Sequence, residues 1–173
     1  GAKSVVISCG IEQEFKILPS QLEEAITENT KLVLINSPSN PTGSVYSSDE
    51  LKELAKVLLN HPNIFIGTDD IYEKINLNDE PFYNIVMVEP KLKDRTIILS
   101  GVSKAYSMTG WRIGYAAGPS YIIKAMGILQ SQSTSNPTSI SQVAAEAALN
   151  SDQSCITPMV DAFKERHRFV VND

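Results

Sequence analysis

The sequence predicts an α/β domain of three layers, with a mostly parallel sheet between two layers of helices. Three observations lead there. Short apolar runs of strand length recur, amphipathic stretches with capping signals separate them, and turn formers follow several of the runs. Strands that alternate with helices build βαβ crossovers, which leave helices on the two faces of a shared sheet. At 173 residues the chain has the length of one ordinary domain and can bury a sizeable core without disulfides or metals.

Val5-Val6-Ile7-Ser8 is a β-branched run of strand type. Pro19-Ser20 opens a helix, with Ser20 and Glu23 at capping-box spacing and Leu22, Ala25 and Ile26 as its apolar stripe. Leu32 to Ile35 is continuously apolar, the pattern of a strand buried on both faces. Ser37-Pro38-Ser39-Asn40-Pro41-Thr42-Gly43 is a cluster of turn formers. Ser47 and Glu50 make a second capping box. Leu51, Leu54, Ala55, Leu58 and Leu59 then share one helical face until His61-Pro62 ends the helix.

Ile64 to Thr68 is the next strand and runs into Asp69-Asp70. Residues 76–90 read as a polar loop. Thr96 to Leu99 is another buried strand, ending at Ser100-Gly101. Ile113 to Gly118 reads as a strand of small residues, where a second backbone can come close. A helix follows over 120–129. The next starts from an Asn136 cap with Pro137 in first position, and Ile140, Val143, Ala144, Ala147 and Ala148 are its apolar face. Thr157-Pro158 starts the last.

The formal net charge of -5 is spread along the chain, which disfavours nucleic acid and anionic membrane as main partners. No apolar run approaches the roughly 20 residues of a membrane span, and no secretory leader pattern opens the chain. Cys9 and Cys155 lie far apart and form no C-x-x-C motif, which fits a reduced, cytoplasmic setting. The chain opens without methionine and closes within a helical pattern, so both ends read as internal to a longer protein.

Ligands of such sheets bind beyond the carboxyl ends of the strands. Asn40, the stretch Asp69 to Tyr72, and the stretch Ser100 to Lys104 all fall there. Lys104 alone is an ordinary solvated lysine. Hydroxyls and small residues bracket it, however, and Arg112 follows. A lysine amine can condense with an aldehyde, and an arginine can grip a phosphate through two parallel hydrogen bonds. Asp69 reads either as a turn former or as a carboxylate beside a ring nitrogen. Tyr72 reads either as a packed aromatic or as a hydrogen-bonding phenol. His61 and His167 have no metal-ligand companions at sensible spacing.

The motifs Asn40-Pro41-Thr42-Gly43, Asp69-Asp70-Ile71-Tyr72, Ser103-Lys104 and Met108-Thr109-Gly110-Trp111-Arg112-Ile113-Gly114-Tyr115 stand here in a specific order and spacing. Together they resemble the class I aminotransferases of fold type I, a pyridoxal-phosphate-dependent family, and its bacterial aspartate aminotransferase branch in particular. The similarity covers nearly the whole chain. It implies the aspartate aminotransferase large-domain fold, with residues 1–150 as the central part of that domain and 151–173 as a helix leading toward a smaller one.

The resemblance implies pyridoxal 5'-phosphate as cofactor. Lys104 would condense with its aldehyde and later move the substrate proton. Asp69 would pair with the pyridinium nitrogen, Tyr72 and Asn40 would hydrogen-bond the phenolate oxygen, and Arg112 with Ser103 would hold the phosphate. The Asn40-Pro41 bond would be cis. The chain departs from many relatives at Gly101, where they carry a phosphate-binding hydroxyl three residues before the lysine.

Implied substrates are an amino acid, aspartate first, and a 2-oxo acid, 2-oxoglutarate first. Prephenate or an aromatic oxo acid is the other candidate. The stretch Ser131 to Asn136 resembles a loop near the interface of a homodimer. The glycine-rich phosphate loop, the stacking aromatic and the arginine for the substrate carboxylate have no counterpart here. The isolated segment is therefore expected to bind cofactor weakly or not at all, with negligible turnover.

Two rivals keep the cofactor: a carbon-sulfur lyase or synthase of the same fold, and a non-catalytic cofactor-binding regulatory domain. A nucleotide-binding domain lacks support, because neither G-x-x-x-x-G-K-[ST] nor G-x-G-x-x-G is present.

Overall fold

The computed structural model describes residues 1–77 and 80–172. Its organising element is helix α2 (Ser48–Leu59). Ser47 caps it by accepting from the Glu50 amide, and the Glu50 side chain returns to the Ser47 amide, as the sequence predicts. Leu51, Leu54, Ala55 and Leu58 form the buried face of α2. They pack with Ile35 and Ile66 of the sheet, Leu22 of helix α1 (Pro19–Ala25) and Ile85 of the short helix α3 (Ile85–Val88). At the far end of α2 the Arg95 guanidinium donates to the carbonyls of Leu58, His61 and Ile64 and so ties the end of the helix to the segment that leads into the next strand.

The sheet runs β1 (Leu32–Asn36), β2 (Phe65–Asp69), β3 (Thr96–Gly101) and β4 (Gly114–Ala117), in that spatial order. The first three strands are parallel and β4 is antiparallel to β3. Only turns and a 3₁₀ segment at Thr109–Trp111 join β3 to β4, too little to carry the chain back along the sheet for a parallel return.

The register assigns the two faces. Val33 pairs with Ile66 and Ile35 with Thr68, so these four share the α2 face. Leu32, Leu34, Phe65, Gly67 and Asp69 alternate onto the other face. There Phe65 meets Tyr121 of helix α4 (Ser120–Ser131), with ring centroids 6.4 Å apart. Helices therefore lie on both faces of the mixed sheet. Helix α5 (Ser139–Asn150) and helix α6 (Ile156–Asn172) complete the chain.

Several local expectations are corrected. Val5 to Ser8 form no strand, and Val5 and Val6 are exposed. A β-branched run becomes a strand only against a pairing neighbour, and this one has none among the described residues. The cap of α1 falls earlier than Ser20: Gln21 reaches back to the Leu18 amide, and Pro19 takes the first position. Strand β1 is buried on one face only, with Leu32 53% and Leu34 64% exposed.

The stretch 76–90, read as a loop, contains α3, because Asn84 caps it by accepting from the Val86 and Met87 amides. Positions 78 and 79 of that stretch lie outside the described residues. Helix α5 starts after Thr138, and the Asn136 side chain donates instead to the Pro137 carbonyl. Its buried positions are Ser141 and Ala145, while Ile140 and Val143 of the predicted apolar face are exposed. Small residues let α5 approach the domain closely, as the Ser141 hydroxyl bonded to the Trp111 carbonyl at 2.7 Å illustrates.

Candidate active site

The carboxyl ends of β1, β2 and β3 lie side by side, and each hands over to a segment carrying a predicted site residue. After β1 the chain turns through Ser37 to Gly43. Both Ser37-Pro38 and Asn40-Pro41 are cis, the second as the resemblance implied. Gly43 closes the turn at φ 73, a backbone region that only glycine enters without cost. The Tyr46 amide donates to Ser37 Oγ and the Gly43 amide to the Ser39 carbonyl, so the turn is held from within.

Asp69 and Asp70 are adjacent but face opposite ways. Asp70 enters the α2 side, where Oδ1 accepts from Thr68 Oγ1 at 2.6 Å and Oδ2 from Asn84 Nδ2 at 2.7 Å. Its burial pushes its carboxyl above the usual carboxylate range. Asp69 stands half-buried on the other face at the very end of β2. One of its carboxylate oxygens accepts from the Ile71 amide at 3.2 Å. Its second oxygen has no partner among the described residues.

Tyr72 follows in the turn after Asp69, and Asn40 Nδ2 donates to its hydroxyl at 3.3 Å. Lys104 Nζ lies 5.6 Å from the centre of the Tyr72 ring. The lysine loop is anchored by the buried side chains of Val102 and Ala105 on either side of Ser103-Lys104. It is braced further by the Tyr106 hydroxyl, which donates to Gln153 Oε1 at 2.6 Å. No carboxylate pairs with the Lys104 amine among the described residues. Asn40, Tyr72 and Lys104 thus form a continuous row of contacts, and Asp69 ends the strand that leads into Tyr72.

Arg112 and Ser103 are less committed. The Arg112 guanidinium donates to the Thr109 carbonyl at 2.9 Å and makes no hydrogen bond to the other five residues. Ser103 is half-buried, and its hydroxyl has no hydrogen bond among the described residues.

Gly101 has a packing reason. A Cβ there would sit 3.1 Å from Gly114 Cα, 3.1 Å from Ile71 Cδ1 and 3.2 Å from the Ile113 carbonyl oxygen. The close approach of β4 leaves a side chain here in tight contact with backbone and Ile71. Alternation directs Ser100 to the Thr68 and Ile98 face, away from Asp69, so Ser100 supplies no hydroxyl on the Asp69 side. Gly101→Ser is expected to cost about 1–3 kcal/mol by overpacking. Urea denaturation checks this, and an unchanged midpoint would contradict the tight β3–β4 contact.

Two open clefts of ≈ 410 and ≈ 430 Å³ border Lys16, and neither contains any of these six residues. Among the described residues, no cluster of three or more His, Cys, Asp or Glu could hold a metal, and no helix is long and apolar enough to cross a membrane.

Sequence reasoning missed Asn36, the last residue of β1. Its side chain bonds the backbone of both Asn40 and Asp69. The available signal was an asparagine closing an apolar run just before a turn, a place where such side chains bond nearby backbone.

Comparison with known proteins identifies the family. The family model "Aminotransferase class I and II" matches residues 1–173. An aspartate/prephenate aminotransferase of Nitrosomonas europaea is 61% identical over 170 residues, covering 98% of this chain and 43% of the relative. The crystal structure of the aspartate aminotransferase from Rhizobium meliloti superposes with a TM-score of 0.95 at 48% identity, over 97% of this chain and 42% of that one. An aromatic aminotransferase structure from Pyrococcus horikoshii matches at a TM-score of 0.87 and 33% identity, over 93% of this chain and 43% of that one. The chain thus spans less than half the length of these relatives. It belongs to the class I and II aminotransferase family.

Proposed function

We propose that the protein containing this chain is a pyridoxal-phosphate-dependent aminotransferase, moving an amino group between an amino acid and a 2-oxo acid. One observation carries the reading: Asn40, Tyr72 and Lys104 form one row of contacts at the ends of three neighbouring strands, the middle one ending in Asp69, in a chain of this family. The residues suit the cofactor's groups. Among the described residues, Asp69 has one carboxylate oxygen without a partner, Lys104 has no acid partner, and the Ser103 hydroxyl has no hydrogen bond.

Pyridoxal phosphate, when bound, supplies an aldehyde and a ring that takes up electrons from a substrate carbanion. The chain's own residues do the rest. Asp69 would favour a proton on the ring nitrogen as a carboxylate beside it. Asn40 Nδ2 and the Tyr72 hydroxyl offer hydrogen bonds to a phenolate oxygen. Ser103 and Arg112 offer donors to a phosphate, Arg112 once its side chain leaves the Thr109 carbonyl. Lys104 would provide the amine that holds the aldehyde and would carry the proton from the substrate Cα.

Aspartate and 2-oxoglutarate are the first substrate pair. Prephenate is the next acceptor, since the Nitrosomonas relative carries it in its name. We read residues 1–150 as the central part of the large domain and 151–173 as the helix toward a smaller one. A cytoplasmic homodimer is the expected state of the whole protein.

The test is a visible spectrum of the full-length protein with pyridoxal phosphate, followed by borohydride reduction and peptide mapping. The expected result is an absorption band trapped by reduction, with the pyridoxyl mass on the Lys104 peptide. A band that is absent, or a label on another lysine, would overturn the reading.

A further inference from the structure

We infer that Asn36 is a positioning residue that sets the spacing between the Asn40–Tyr72 pair and Asp69; this rests on the proposed function above. Asn36 is half-buried at the last position of β1, in register with Asp69 of β2. Its Oδ1 accepts from the Asn40 amide at 3.0 Å, and its Nδ2 donates to the Asp69 carbonyl at 3.2 Å. The two partners fix the amide orientation, since an N–H requires the oxygen and a carbonyl requires the nitrogen. One short side chain therefore ties the turn that carries Asn40 to the strand end that carries Asp69.

The turn does not depend on Asn36 to form. Ser39 and Ser44 are bonded to each other through the backbone at 2.9 Å, the Gly43 amide bonds the Ser39 carbonyl at 2.9 Å, and the Tyr46 amide bonds Ser37 Oγ at 3.2 Å. Loss of Asn36 would leave the turn in place and free its near end. Asn40 Nδ2, 3.3 Å from the Tyr72 hydroxyl, would lose its fixed distance from Asp69. The phenolate oxygen would then be held by weaker donors. Donors to an anionic oxygen favour the deprotonated cofactor, so weakening them raises the pH at which the visible band titrates.

The experiment is a spectrophotometric pH titration of the full-length holoenzyme and of Asn36→Ala, with Ser37→Ala as a structural control. Asn36→Ala is expected to move the band midpoint upward by about half a unit or more. Ser37→Ala, which removes only the hydroxyl that holds the Tyr46 amide and keeps the Ser37 amide on the Asp69 carbonyl, is expected to lower the melting temperature and leave the midpoint in place. Asn36→Ser, whose shorter hydroxyl cannot span both partners, gives the same reading where the alanine variant is insoluble. An unshifted Asn36 variant, or an equal shift in Ser37→Ala, overturns the inference and leaves the proposed function standing. A wild-type protein with no Lys104-dependent band overturns both.

Discussion

Lys104→Ala is expected to lower the kcat of the full-length protein by about 10⁴-fold or more, because one amine serves both covalent attachment and proton transfer. Lys74, the other lysine near the loop, has its amine on Gln153 Oε1 at 2.9 Å and against the Tyr106 ring. Lys104→Arg should be as inactive as alanine, since a guanidinium keeps its charge and does not condense with an aldehyde. Tyr72→Phe should be far milder, about tenfold, because it keeps the ring beside Lys104 and loses one hydrogen bond. Steady-state kinetics with aspartate and 2-oxoglutarate order the three variants. A Lys104→Ala enzyme retaining more than about 1% of wild-type kcat would remove this residue from the chemistry.

The parts of the molecule legible in the sequence are those set within a few residues. The Ser47–Glu50 cap of α2 is one: both bonds close within one turn, so the pattern suffices. Asn40, Asp69, Tyr72 and Lys104 were legible for a second reason. A parallel sheet brings its strand ends together whatever the helices between them do. The misreadings depend on distant partners. Val5 to Ser8 have strand chemistry but no neighbour to pair with among the described residues. Ile140 and Val143 have helix-face spacing, yet the side of α5 that packs is set by how closely Ser141 approaches Trp111. Asn36 stayed hidden because its role lies in two backbone contacts, one of them across strands, and its own residue type shows neither.

Removing the Asp70 carboxylate is expected to produce the largest loss of stability among single substitutions near the site. Asp70 is 1% exposed and holds two buried donors, Thr68 Oγ1 and Asn84 Nδ2. Asn84 in turn caps α3. Asp70→Ala leaves both donors unpaired and should cost about 3–5 kcal/mol in urea denaturation. Asp70→Asn keeps an acceptor for Thr68 but sets one amide NH₂ against that of Asn84, and should cost about 1–3 kcal/mol.

The pH dependence has a definite sign. Burial first, and the charge of Asp69 second, raise the Asp70 carboxyl above its ordinary value of 3.8, against the lowering effect of its two hydrogen bonds. The folded state therefore binds this proton more tightly than the unfolded chain. Stability from this group is greatest below the unfolded value and declines as pH rises through the raised one. Asp70→Asn lacks that slope, so the stability gap between wild type and variant should narrow from about pH 4 toward neutrality. A gap that widens over the same range would mean that the hydrogen bonds outweigh burial. An alanine variant within about 1 kcal/mol of wild type would mean that Thr68 and Asn84 find other partners, so that the turn presenting Asp69 and Tyr72 does not hang on this carboxylate.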